Sequence, residues 1–62
     1  MCEVHAFIIK DGREEQVLES VDQVEIVAGD VKMTNIFGEQ RLIKARFRRY
    51  DNRQGKIVFD LV

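Results

Sequence analysis

The sequence predicts an all-β fold, a small antiparallel barrel of about five to six short strands. Several short segments alternate apolar and polar residues, which is the pattern of half-buried strands. Turn-forming residues separate these segments, beginning with Asp11-Gly12. No segment of useful length shows the apolar period of a helix. Many short strands joined by tight turns are typical of a small barrel.

The first two strands are predicted on either side of Asp11-Gly12. Residues 2–9 are rich in Val, Phe and Ile, and residues 13–19 follow the turn. Asp-Gly favours a type I′ turn because both central residues of that turn need a positive φ. A third, short apolar segment at 24–27 then ends at a second turn signal, Gly29-Asp30.

The second half of the chain predicts three further strands, at 31–36, 41–50 and 56–62. In the segment 41–50, apolar residues fall on one face (Ile43, Ala45, Phe47) and basic residues on the other (Lys44, Arg46, Arg48). The adjacent Arg48-Arg49 interrupt this alternation, which predicts a β-bulge or the end of the strand.

The chain is predicted to fold as one domain, residues 1–62. A domain of this size buries only roughly 60% of its unfolded surface, so it usually needs a disulfide, a metal or a partner subunit. The sequence has one cysteine, which excludes an internal disulfide. The first and last strands are apolar on both faces, as in strands that are buried on both sides. We therefore expect a homodimer whose interface uses the second face of these strands.

Composition and patterning exclude several function classes. There is no apolar stretch long enough for a membrane span and no signal-peptide pattern, so we expect a cytoplasmic protein. The one Cys, one His and one Tyr have no spacing typical of a nucleophile with its base, so no catalysis is predicted. The net charge is −1, but acidic residues concentrate in 3–30 and basic residues in 41–56. Such segments most often pair across neighbouring strands.

Cys2 is the candidate metal ligand. If Met1 is removed, Cys2 carries both a free α-amine and a thiol, which can close a five-membered chelate on one metal ion. A metal can displace both protons near neutral pH. The Glu3 amide is a possible further backbone donor, and the His5 imidazole is a less favoured one because side chains three residues apart on a strand point to opposite faces. The alternative is that Cys2 is a small buried apolar residue.

The donor set favours a late first-row ion. Amine, thiolate and a deprotonated amide suit square-planar Ni(II) or Cu(II), whereas zinc prefers a tetrahedral site with more thiolate or imidazole. Copper in a reducing cytoplasm is mostly Cu(I), which needs no amidate. Ni(II) is therefore the predicted metal.

The chain resembles the CooT-type nickel-binding protein family, small cytosolic proteins linked to nickel delivery for carbon monoxide dehydrogenase maturation. The resemblance is carried by MCE at the start, the KDG turn at residues 10–12, VDQV at 21–24, NIFGEQ at 35–40 and the basic-apolar strand LIKARF at 42–47. It implies a dimeric SH3-like or Sm-like barrel that binds nickel through Cys2, acting as a metallochaperone, carrier or store. Carbon monoxide dehydrogenase, or its maturation factors, is the implied partner.

The NIFGEQ segment has two interpretations. In the first, Gly38 supplies a turn, Phe37 anchors the loop in the core, and Asn35 and Glu39 hydrogen-bond within it. In the second, the loop packs over the N-terminus of a neighbouring chain, and Glu39 or Gln40 supports the metal ligands.

An alternative function is nucleic-acid binding by an Sm-like module. The basic strand Arg41–Arg53 would form the binding stripe, with Tyr50 as a stacking residue. Against this, the strand has few aromatic residues and the domain as a whole is not basic.

Overall fold

The structure, a computed structural model, describes residues 3–61. These residues form seven strands and no helix. The strands are β1 (His5–Lys10), β2 (Arg13–Leu18), β3 (Val21–Val27), β4 (Asp30–Asn35), β5 (Gln40–Ile43), β6 (Ala45–Asp51) and β7 (Lys56–Leu61). The all-β prediction is confirmed.

The seven strands form two sheets. One sheet has the order β2-β1-β7-β6 and the other has the order β3-β4-β5. The pairs are antiparallel except β1 with β7, which run parallel. Parallel neighbours need a long connection between them, and here the five intervening strands provide it. The sheets do not close into a barrel, so the barrel part of the prediction is not confirmed, and one pairing departs from the antiparallel expectation.

The predicted strand 41–50 is two strands in the structure. It is interrupted at Lys44, and β5 and β6 on either side belong to different sheets. The sequence alternation continues across this crossing, so periodicity alone did not reveal it. The ladder between β6 and β7 shifts register between Phe47 and Arg49, which confirms the bulge predicted at Arg48-Arg49.

The predicted turn at Asp11-Gly12 is confirmed by its backbone. Asp11 has φ 53° and Gly12 has φ 77°, the two positive values that a type I′ turn needs. The β3–β4 hairpin turns one residue earlier than predicted, at Ala28 (φ 52°) and Gly29 (φ 86°). Residue Ala28 carries no sequence signal for a positive φ, which explains the shifted prediction.

The core lies between the two sheets. Its buried members are Ala6, Ile8, Leu18, Val31, Met33, Ala45 and Phe59. In β4 the buried positions alternate strictly and end at Asn35, a buried polar residue.

The second apolar face of β7 is covered within one chain at Val58. Val58 is fully buried but lies outside the core cluster, between Phe7 and Arg49 in the strand registers. On the same face, Glu14 accepts bonds from Lys56 (2.7 Å) and Arg49 (3.1 Å). The Lys56 ammonium also lies 5.0 Å from the centre of the Phe7 ring. The apolar second face of β7 therefore has an explanation that does not require a partner chain.

Candidate functional site

The candidate site lies at the start of β1. Cys2 lies outside the described residues, so the metal role predicted for it stays a prediction. The segment that follows, residues 3–5, is described and we call it the N-terminal segment. It is held on two sides, because the His5 N–H donates to the Gly55 carbonyl (2.7 Å) and the Val21 N–H donates to the Val4 carbonyl (2.7 Å). Val4 is buried and Glu3 is exposed, so the chain enters β1 along a fixed path.

Gly55 leaves the room that this path requires. A Cβ built on Gly55 would lie 2.6 Å from the Glu3 carbonyl oxygen, well inside van der Waals contact. Gly55 also has φ 65°, a value that glycine adopts readily and other residues do not. The sequence indicated a turn at DNRQG but gave no sign that this turn packs against the N-terminal segment.

His5 already has a hydrogen-bond partner. Its Nδ1 accepts from the Ser20 N–H at 3.1 Å, which requires a neutral ring with its proton on Nε2. A metal bound at Nε2 would move that proton to Nδ1, where it would face the Ser20 N–H. Metal binding by His5 would therefore break this bond, and the geometry favours a positioning role for the side chain.

The loop of residues 35–40 is organised by Asn35. Its Oδ1 accepts from the Phe37 N–H (3.1 Å) and the Glu39 N–H (2.8 Å), and its Nδ2 donates to Glu39 Oε1 (2.6 Å). The main chain adds bonds from the Asn35 N–H to the Glu39 carbonyl and from the Gly38 N–H to the Asn35 carbonyl. The predicted hydrogen bonding of Asn35 and Glu39 within the loop is confirmed.

The expectation that Phe37 anchors this loop in the core is wrong. Phe37 is 66% exposed and its neighbour Ile36 is 59% exposed. Asn35 takes the buried position at the end of β4, and its bonds to the loop amides hold the following residues away from the core. Gly38, with φ 82°, completes the turn with Phe37 on the outside.

Ser20 connects the loop to the N-terminal segment. Its N–H donates to His5 Nδ1, and its carbonyl accepts from the Ile36 N–H at 3.0 Å. A groove of about 350 Å³ lies beside the loop, lined by residues 16–19 and 39–41. Glu39 and Gln40, predicted as possible supports for metal ligands, both line it, although Glu39 Oε1 is already bonded to Asn35.

The basic strand pairs in part with acidic neighbours, as predicted. Arg48 binds Asp60 at 3.0 Å, and Arg49 binds Glu14. The hydrogen bonds from Lys56, then those from Arg49, hold the pKa of Glu14 below its usual value, against an opposing effect of desolvation.

The exposed aromatic residues of β6 do not join these arginines. Phe47 lies opposite Phe59 and Tyr50 opposite Ile57, both on the core-facing side, whereas Arg49 lies opposite Val58 on the other side. Phe47 and Tyr50 thus lie on the opposite face of β6 from Arg49, which gives no support to the nucleic-acid alternative.

Among residues 3–61 no group of three or more His, Cys, Asp and Glu side chains is arranged to hold a metal ion. The same residues contain no helix that could cross a membrane.

Comparison with known proteins identifies the family. Residues 1–60 match the family model described as "CO dehydrogenase accessory protein CooT". The crystal structure of a "putative CooT" from Carboxydothermus hydrogenoformans is 33% identical, covers 98% of both chains and superimposes with a TM-score of 0.90. No curated protein matches this chain. The chain therefore belongs to the CooT family of CO dehydrogenase accessory proteins.

Proposed function

We propose that this protein binds Ni(II) through Cys2, at or near a homodimer interface, and serves CO dehydrogenase maturation as a cytoplasmic metallochaperone, carrier or store. The family supplies the accessory role. The ligand chemistry of an N-terminal cysteine supplies the choice of metal. We also propose that the fold is related to SH3-like barrels, as the family resemblance implies.

The observation that carries the proposal is the fixed path of the N-terminal segment. Bonds to Gly55 and Val21 hold residues 3–5, so Cys2 is attached to a rigid part of the fold. The backbone from residue 3 onward is therefore already placed when nickel binds, which lowers the cost of ordering on that side of the chelate.

Three donors of the chain are assigned. The Cys2 thiolate and its α-amine bind the metal, and the Glu3 amide nitrogen is the next donor along the backbone. His5 is assigned a positioning role, since its Nδ1 holds Ser20. A cargo ion must also leave, and a site with few ligands from one chain suits release to a client better than a closed structural site would.

The test is a nickel titration of untagged, Met1-processed protein followed by ultraviolet–visible absorbance. Thiolate-to-nickel charge-transfer bands are expected for the native chain and for His5→Ala, and they should be absent from Cys2→Ser. Arg46→Ala is the control at a distant strand and should leave the titration unchanged. A chain extended at its N-terminus should bind nickel more weakly, because its α-amine is blocked. Bands that persist in Cys2→Ser would refute the assignment.

A further inference from the structure

Strand β3 is a free edge of its sheet. It pairs with β4 on one side, and among the described residues no strand pairs with its other side. Beyond the ladder with β4, the main-chain bonds of β3 reach only its first residue, Val21. From Gln23 to Val27 the register is unbroken, so this stretch presents a regular row of unpaired N–H and C=O groups.

One face of this edge is apolar and lies beyond the core. Val24 lies opposite Met33 and Ile26 opposite Val31 in the ladder, so both belong to the core-facing side. Met33 and Val31 are fully buried, whereas Val24 is 38% exposed and Ile26 is 63% exposed. The core therefore ends under β4, and the apolar side of β3 extends past it.

The chain around this edge is acidic. Residues 19–30 contain four acidic residues and no basic one. Two of the acidic residues, Asp22 and Glu25, lie on β3 and are exposed. Glu25 lies opposite Lys32 in the ladder but forms no ion pair with it, and the ion pairs of the described residues all lie in the other sheet. The negative charge of β3 is therefore left for a partner.

The other free edges are protected in ways that β3 is not. Natural proteins protect edge strands with bulges, short lengths and basic side chains. β2 bulges at Val17, β6 bulges at Arg48 and contains three arginines, and β5 is only four residues long. β3 has its bulge at Asp22, close to its start, and contains no basic residue. None of the other three edges has an unbroken run as long as residues 23–27.

We infer that β3 binds an extended, basic segment of a partner protein, which adds to the sheet as a further strand along residues 23–27. The main chain of the segment bonds to the free edge, as in other complexes formed by strand addition. Apolar side chains on one face of the segment cover Val24 and Ile26, and lysines or arginines on its other face lie beside Glu25. A second copy of β3 is unsuited to this place, because like charges opposite each other on neighbouring strands are destabilising. The inference does not depend on nickel binding.

The test is a titration of the full, isotope-labelled chain with a blocked heptapeptide of alternating lysine and valine, followed by two-dimensional NMR. Shift changes should be confined to β3 and the facing residues of β4. Glu25→Lys should raise the dissociation constant by about 5-fold or more. Glu15→Lys makes the same change of net charge on the edge strand β2 and should alter the constant by about 2-fold or less. A peptide of alternating glutamate and valine should not bind.

Two N-methylated peptides test the main-chain bonds. Successive residues of a strand direct their N–H groups to opposite edges, so an added strand uses either its lysine amides or its valine amides. Methylation of one set should abolish binding, and methylation of the other set should leave it. Binding by both peptides, or by neither, would overturn the inference.

Amide hydrogen exchange gives a second measurement on the native chain. Alternate amides of residues 23–27 should exchange fast in the free protein and slowly with the lysine–valine peptide bound. Protection of every amide in the free protein would mean that a second copy already occupies the edge, and it would overturn the inference. The same conclusion would follow from shift changes centred on β2 or β6, or from equal binding by Glu25→Lys and the native chain.

Discussion

Replacing Gly55 by Ala tests how firmly the N-terminal segment is held. Two costs add at this position. A non-glycine residue at φ 65° costs about 1–2 kcal/mol. The new Cβ would also lie 2.6 Å from the Glu3 carbonyl oxygen, so one of the two backbones must move by about 0.8 Å to restore an ordinary contact of 3.4 Å. Enforced shifts of this kind in packed regions cost about 1–3 kcal/mol.

Gly12→Ala is the matched control. Gly12 has φ 77°, and a Cβ there would meet nothing within 4 Å. Gly12→Ala therefore has the cost of a positive φ but not the cost of a steric contact. We expect the free energy of unfolding to fall by about 2–5 kcal/mol for Gly55→Ala and by about 1–2 kcal/mol for Gly12→Ala.

Urea denaturation at one protein concentration measures both losses, since association would otherwise change the apparent stability. Hydrogen exchange adds a local measurement. The His5 amide, which donates to the Gly55 carbonyl, should exchange faster in Gly55→Ala and not in Gly12→Ala. Equal losses of stability in the two variants, with an unchanged His5 amide, would refute the packing of the N-terminal segment against this turn.

Two further variants test the loop and the charged surface. Asn35→Ala leaves two loop amides and one carboxylate without their buried partner, so it should lower the free energy of unfolding by about 2–4 kcal/mol. Asn52 is exposed, and Asn52→Ala should change the free energy of unfolding by about 0.5 kcal/mol or less. Thermal or urea unfolding compares the two variants. The pKa of Glu14 is lower in the folded protein than its usual value of 4.5. The bonds from Lys56 and Arg49 to Glu14 therefore stabilise the fold fully at a pH above 4.5. This stabilisation is lost as the pH falls through the lower pKa of the folded state. Glu14→Gln should therefore flatten the acid side of the stability–pH curve, and an unchanged curve would contradict the role of this ion pair.

Local signals in the sequence predicted the strands and most turns well. Asp11-Gly12 fixes its hairpin because few dipeptides accept two positive φ values, and the Arg48-Arg49 pair marks a real bulge. The change from one sheet to the other at Lys44 could not be predicted, since the same alternation of apolar and polar residues runs through β5 and β6. The parallel pairing of β1 with β7 was hidden as well, because no local pattern records which distant strands become neighbours.

The candidate site was predicted only in part. The metal chemistry of Cys2 stays a prediction from its position near the start of the chain, because Cys2 lies outside the described residues. The residues that hold the N-terminal segment could not be predicted, because Ser20 acts through main-chain atoms that any residue carries and the close approach of Gly55 to Glu3 leaves no local signal in the sequence. Phe37 was misplaced for a different reason: apolarity predicts burial on average, and Asn35 occupies the position in the core that the loop offered.

The parallel pairing of β1 with β7 has a consequence for how the protein is made. The two strands lie at opposite ends of the chain, so their contact closes almost the longest loop that the chain allows, and such contacts form late and slow folding. During synthesis β1 emerges first but has no neighbour on that side until Gly55 and β7 have left the ribosome. We therefore expect the N-terminal segment, residues 3–5, to take its fixed path only once translation is nearly finished, when Gly55 is available to accept the His5 amide bond.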